Sequence, residues 1–125
     1  MVWEIVWSDP LHPSQFLQLC EYTGEEASHK EGFAMNIKRG AAWFFTDEAV
    51  NRFFATNGLT HIVRAHEVPQ TGFTFHFDKK CVTIFSCSHY CGQLNKCSCL
   101  FVDQETIRVI LIDTENNLPA TDGKQ

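Results

Sequence analysis

Four places in the 125-residue chain gather side chains able to do chemistry. Asp9 stands in "WSDP", Arg39 in "NIKRG", Arg64-Ala65-His66-Glu67 close "IVRAHEV", and His89-Tyr90-Cys91 precede Gly92 in "SCSHYCG". A neutral imidazole and a carboxylate are ligands for divalent cations. A guanidinium is a planar fork that matches phosphate oxygens two at a time. Brought to one rim, these residues suit a metal-assisted reaction on an anionic group. Taken singly, each has a plainer use. A strand-end histidine is more often hydrogen-bonded than metal-bound, an arginine is more often a surface charge, a tyrosine more often packs with its hydroxyl satisfied, and Asp9 before Pro10 fits an Asx turn. His12, His61 and His76 are read as structural or solvent-facing, and His89 as a further titrating group in its loop.

The six cysteines are Cys20, Cys81, Cys87, Cys91, Cys97 and Cys99. Four of them fall in "CSHYCGQLNKCSC", separated by three, five and one residues. Structural zinc sites pair cysteines two to four residues apart, and this run does not follow that spacing. A small thiol-metal protein is therefore the weakest of the readings, and reduced thiols are the expectation.

The elements that must position these residues follow from periodicity and punctuation. Residues 2–7 ("VWEIVW") read as a strand stopped by Ser8-Asp9-Pro10. With core-like residues from Val2 onward, the chain reads as opening inside a strand, as part of a longer domain would. Residues 11–38 read as irregular, save a short helix opened by Pro13. "RGAAWFF" (39–45) reads as a strand rich in aromatics. Thr46 caps a helix with Asp47 and Glu48 in its first turn, Ala49, Val50, Phe53 and Phe54 on its apolar face, and Gly58 just past its end. "LTHIVRA", "GFTFHFD", "KCVTIFSCS", "SCLFVDQ" and "IRVILID" follow as strands. Phe73, Phe75 and Phe77 alternate with Thr74 and His76, which predicts one buried and one wet face. Asp78-Lys79-Lys80 marks a hairpin turn. "IVRAHEV" is expected to be a buried strand that delivers His66 to a rim, with Arg64 and Glu67 orienting that end. The pattern is α/β, mostly strands with one clear helix near 46–57.

Composition narrows the function classes. The chain is 44% hydrophobic with 11 Phe, enough for a packed core. Its formal charge of -5 argues against nucleic acid as a partner. No apolar run reaches the length of a membrane span, and the amino end lacks the features of a secretory signal. A cytoplasmic or nuclear location is the expectation.

The ordered series "WSDP", "RG" before an aromatic strand, "RAHEV", "GF", "TIFSCSHYCG" and "FVD" resembles the second half of the PPP-family serine/threonine protein phosphatases, within the calcineurin-like metallophosphoesterases. The resemblance runs from about Trp7 to Ile112. It implies that residues 1–113 form the carboxyl-terminal portion of a four-layer αββα sandwich; the polar composition of 114–125 reads as a flexible tail.

Further implications attach residue by residue. His66 matches the metal-ligand histidine of the family's "R-[AS]-H-E" motif. Arg39 matches the arginine that clamps the substrate phosphate. Tyr90 matches the tyrosine of the loop over the metals, Cys91 the neighbouring reactive thiol, and Asp9 the acidic wall residue of "WSDP". The implied reaction is hydrolysis of phosphoserine and phosphothreonine in proteins, with two divalent ions (Mn, Fe or Zn) about 3.5–4 Å apart activating water. The implied partners are a phosphoprotein substrate and a regulatory or complementary subunit. The sequence also departs from the family. "GDxHG", "GDxxDRG" and "GNHE", which supply most metal ligands, do not occur in it, and Ser88-His89 and Lys38 replace the usual neighbours of Tyr90 and Arg39. His66 is the one matched ligand, so this chain by itself is expected to be incomplete and inactive. The alternative is a catalytically inactive fragment that serves as a protein-binding module.

Overall fold

The computed structural model describes residues 2–12, 14–16, 18–19, 31–112 and 114. It divides into two compact units, Met1–His66 with Phe75–Thr83, and Glu67–Thr74 with Ile84–Gln125. The expected secondary structure is borne out in class, mixed α/β with more strands than helices, and corrected in several elements.

The first correction is at the amino end. Residues Val2–Trp7 form a helix, α1, not a strand. Six residues of nearly uniform hydrophobicity fit a period of 2 or 3.6 equally well. The i, i+4 pair decides: Trp3 stacks on Trp7 at 4.6 Å, as helical neighbours do. Ser8 closes the turn, its amide and its hydroxyl both donating to the Glu4 carbonyl. Val2, Ile5 and Val6 are exposed and belong to no core.

The first sheet has the order β1–β3–β2. Strand β1 (Asp9–Pro10) runs parallel to β3 (Trp43–Phe45), with Asp9 opposite Phe44. Strand β2 (Phe33–Met35) pairs antiparallel with β3; it lies where an irregular segment was expected. Conversely, β3 is shorter than "RGAAWFF". Residues 37–42 turn instead, with Gly40 and Ala42 in the left-handed region and the Gly40 amide donating to the Asn36 carbonyl. Leu11, Ala34 and Phe44 pack as one small core, with Phe16 against them. Residues 14–16 and 18–19 are helical, while Pro13 and Cys20 lie outside the described residues.

Helix α2 (Asp47–Asn57) matches its expected bounds and polarity. Thr46 is extended at its N-cap, but its hydroxyl donates to the Gly32 carbonyl rather than to the helix. Gly58, at φ 65°, ends the helix, and its amide and that of Leu59 both donate to the Phe54 carbonyl. Ala49, Val50 and Phe54 are buried, whereas Phe53 is exposed and leaves the expected apolar face. Val50 and Phe54 join Phe77 and Cys81 in a second core. Gly32 lets β2 approach α2: at φ +85° a Cβ there would lie 2.5 Å from the Ala49 nitrogen.

The second sheet has the order β4–β6–β5. Strand β4 (Ile62–Arg64) runs parallel to β6 (Cys81–Ile84), with Arg64 opposite Thr83. At the end of that order β4 is not a buried strand: Ile62 is half-buried and Val63 exposed. Strand β5 (Phe73–His76) corrects the alternation, because Phe75 is exposed and His76 is half-buried. The turn at 77–80 is as expected, with Phe77, Asp78 and Lys79 all at positive φ.

In the second unit, β7 (Cys97–Val102) and β8 (Ile107–Ile112) form an antiparallel hairpin. Asp103 builds its turn, accepting from the amides of Glu105 and Thr106. These bonds hold its carboxyl below the usual carboxylate range. The tail expected at 114–125 lies outside the described residues except for Thr114.

Candidate functional site

The residues singled out in the first unit converge on Asp9. Burial pushes a carboxyl towards its neutral form, and Asp9 is 4% exposed. The fold meets that cost with two guanidinium groups and an amide. Arg39 grips both carboxylate oxygens, Nε on Oδ2 and Nη2 on Oδ1 at 3.0 Å. Arg64 donates from Nη2 to Oδ1 at 2.9 Å, and Asn36 donates from Nδ2 to Oδ2 at 2.8 Å. Burial raises the Asp9 carboxyl. The hydrogen bonds from Arg39 and Asn36, with the charges of Arg39 and Arg64, outweigh it and hold the group below the ordinary range.

Each partner is placed by local structure. Asp9 is fixed by β1, and Asn36 by the turn after β2, where its Oδ1 accepts from the Arg39 amide at 3.2 Å. That bond shapes the turn so that Arg39 faces back to β1. Arg64 ends β4; it also donates from Nη2 to the Ser8 carbonyl and from Nη1 to the Thr83 hydroxyl. The cluster holds two guanidinium groups against one carboxylate. Of these, 23% of the Arg39 side chain is exposed, which leaves part of a guanidinium open to an anion from solvent.

Trp7 joins this cluster to His66. The Arg39 guanidinium lies 5.6 Å from the Trp7 ring centre. His66 meets Trp7 edge-on, with the two ring centres 4.5 Å apart. His66 lies two residues beyond β4, half-buried, with φ 82°. That conformation is rare for a non-glycine residue and costs of the order of 1–3 kcal/mol.

The second unit carries the other singled-out residues. Tyr90 begins a 3-10 turn, Tyr90–Gly92. Its amide donates to Asn95 Oδ1 at 2.9 Å, and its ring packs edge-on against Phe85 at 5.3 Å. His89 and Cys91 both stand in the left-handed region, and Cys91 is exposed. Asn95 is the loop's anchor: 1% exposed, it also donates to the Cys87 and Lys96 carbonyls. Cys87, Cys91, Cys97 and Cys99 are thiols that form no disulfide. Glu67 belongs to this second unit, Arg64 to the first.

No family model matches the chain. Curated proteins do. It is 41% identical over 68 residues to serine/threonine-protein phosphatase ppe1 of Schizosaccharomyces pombe, covering 53% of this chain and 22% of that one. Over 88 residues it is 34% identical to the serine/threonine-protein phosphatase 6 catalytic subunit of Drosophila melanogaster, covering 70% and 23%. Over 100 residues it is 37% identical to serine/threonine-protein phosphatase PP1-delta of Caenorhabditis elegans, covering 79% and 32%. The chain is a homologue of the PPP serine/threonine phosphatases over part of their length. The fold agrees: a Saccharomyces cerevisiae serine/threonine phosphatase structure, described as similar to human phosphatase PP5, superposes with a TM-score of 0.60 at 21% identity, over 86% of this chain and 32% of that one. The chain spans about a fifth to a third of the length of these PPP relatives.

Among the described residues, His66 is the one matched donor for the two divalent ions that the PPP resemblance implies. Both Asp9 oxygens already accept from guanidinium groups. Among the described residues no group of three or more His, Cys, Asp or Glu is placed to hold a metal ion. One imidazole, His66, does not hold two such ions, since each needs several ligands.

Sequence reasoning named Asp9, Arg39, Arg64 and His66 but missed what ties them together. Asn36, Thr83 and Trp7 are those ties. Trp7 had a signal, as the first letter of "WSDP"; Asn36 and Thr83 had none that pointed to Asp9 and Arg64, because those two partners are distant in sequence.

Proposed function

We propose that this chain is the phosphate-facing part of a metal-dependent protein serine/threonine phosphatase whose metal centre needs ligands beyond those found here. The observation that supports this best is the Arg39–Asp9 fork, backed by Arg64. A guanidinium locked on a buried carboxylate is pre-oriented, so receiving an oxyanion costs little further side-chain ordering. The second guanidinium, Arg64, shares the same carboxylate and so helps hold Asp9 ionised beneath Arg39.

In this reading Arg39 binds and orients the phosphoryl oxygens and stabilises charge that develops on them. Asp9 holds Arg39 in place, and Tyr90, in the second unit, is assigned to phosphate by the family resemblance alone. His66 is the residue offered to a metal, and Cys91 a reactive thiol. The partners are a phosphoprotein and a protein subunit that completes the site.

The second reading is a binding module without turnover. It is favoured by the single matched metal donor among the described residues and by the exposed apolar side chains of β8, Ile110, Leu111 and Ile112. The two readings separate in one assay. The chain with Mn2+ and a phosphothreonine peptide is expected to release no phosphate, yet to bind inorganic phosphate weakly in a way that Arg39→Ala abolishes. Binding without that dependence would favour the module. Metal-dependent turnover lost in His66→Ala would show instead that the chain completes a centre by itself.

A further inference from the structure

We propose that His76 is a positioning residue for the Asp9 cluster: its neutral imidazole accepts a hydrogen bond from the Thr83 hydroxyl at Nε2, which turns the Thr83 oxygen towards Arg64 and steadies Arg64 on Asp9. The proposal concerns the cluster itself and rests on the phosphatase reading only for its effect on phosphate binding.

The inference comes from donor and acceptor accounting at one buried hydroxyl. Thr83 is 1% exposed. Its Oγ1 lies 3.0 Å from Arg64 Nη1 and 3.0 Å from His76 Nε2. Arg64 only donates, so Oγ1 accepts from it. The hydroxyl proton then needs an acceptor, because a buried donor left unmade is costly. Nε2 in its unprotonated form is the acceptor at hydrogen-bond distance. That assignment places the ring proton on Nδ1 and gives the Thr83 hydroxyl both a donor, Arg64, and an acceptor, His76. The chain of bonds then runs His76, Thr83, Arg64, Asp9, Arg39, from β5 across β6 and β4 to β1 and the turn after β2.

Protonation of His76 would break this order. Nε2 would become a second donor facing the same oxygen, and a second cation would stand across one hydroxyl from Arg64. The surroundings oppose that charge. Burial first, then the Arg64 charge, push the His76 imidazole below its ordinary range. Of the other neighbours, Phe77 offers an apolar ring at 6.0 Å, and Asp9 stands beyond Arg64, already shared between two guanidinium groups. His76 was read from the sequence as structural or solvent-facing; the solvent-facing half of that expectation is corrected.

The test uses the full chain and nitrogen NMR of its imidazole and guanidinium groups, which require no activity. The expected result is an unprotonated Nε2 with the proton on Nδ1, persisting on acidification below about pH 6.5, where a free histidine titrates. Thr83→Val should move the Nε2 signal and the titration, because the hydrogen bond is gone. His76→Gln keeps an acceptor and should leave exchange of the Arg64 guanidinium protons close to that of the parent. His76→Leu should speed that exchange by about tenfold, as loss of one buried hydrogen bond would. A proton on Nε2 in the parent, or Arg64 exchange that Thr83→Val and His76→Gln alter equally, would overturn the proposal. The tautomer is read on the parent chain, so a variant that fails to fold leaves the test intact. Absence of phosphate binding would sink the phosphatase reading and leave this one standing.

Discussion

Asp9 and Arg39 are thirty residues apart in sequence and meet through two hydrogen bonds, Nε to Oδ2 and Nη2 to Oδ1. The bidentate geometry fixes the guanidinium plane as well as its position. Arg64 adds a second cation on Oδ1 from the end of a different strand. A single buried carboxylate thus holds together β1, the turn after β2, and β4.

Removing that carboxylate should cost more than any one of its hydrogen bonds. Asp9→Ala leaves Arg39 and Arg64 as neighbouring like charges in a partly buried place. The expected loss is about 3–5 kcal/mol, the range for breaking a buried pair from one side. Denaturant unfolding would measure it, and a loss no larger than that of a surface ion pair would contradict the buried assignment.

Acid should destabilise the chain in two steps. His76 has a lowered value in the folded state, so the unfolded chain takes up its proton first, and stability falls as the pH drops below about 6.5. Asp9 is also lowered; its contribution is complete above about pH 4 and is lost as the pH falls towards the folded value. Both signs agree, so the unfolding midpoint should decline steadily from neutral to acid pH. A midpoint that rises over that interval would refute both assignments.

Gly32→Ala should be severe. A Cβ at position 32 would sit 2.5 Å from the Ala49 backbone nitrogen and 2.9 Å from its Cβ, at φ +85°. Strain of about 1–3 kcal/mol from the backbone and a similar amount from overpacking predict a loss of about 2–6 kcal/mol. The matching control is Gly40→Ala, where no atom lies within 4 Å of the added carbon. Only the backbone part of the cost should remain there. Equal melting shifts for the two would contradict the close approach of β2 to α2.

Asp103→Ala should loosen one hairpin end and leave the Asp9 cluster unchanged. The Glu105 and Thr106 amides, at 2.9 Å and 2.7 Å from Asp103 Oδ1, lose their acceptor. Hydrogen exchange should quicken at those two amides first. Uniform protection across the hairpin in the variant would show that the strand ladder alone sets the turn.

Much of the fold was legible where chemistry is local. Thr46, Asp47, Glu48 and Gly58 mark both ends of α2, and Asp78-Lys79-Lys80 marks its turn, because caps and turns are decided by neighbours a few residues away. α1 was misread because an apolar run carries no period, and the Trp3–Trp7 stack that settles it is a matter of packing. Strand β2 was missed for a related reason: "FAM" is too short to signal a strand, and its pairing with Trp43–Phe45 supplies the order. The site divides in the same way. Asp9, Arg39 and His66 were visible in motifs of ordered residues. His76 and Thr83 were not, since a threonine in "CVTIF" shows its role only when Arg64 and His76 are found on either side of it.

The parallel pairing of β1 with β3 and of β4 with β6 has a kinetic consequence. Parallel strands cannot be joined by a tight turn, and the bonds to Asp9 close separations of 30 and 55 residues. Loop closure must precede the reward from such contacts. The β7–β8 hairpin closes through a turn in which Asp103 and Thr106 are 3 residues apart, an event of about 1–10 μs. The Asp9 cluster therefore assembles late, after the local elements exist to carry its members. Until then Asp9 is an ordinary aspartate in water, and its carboxyl acquires its lowered value only when Arg39 and Asn36 close on it.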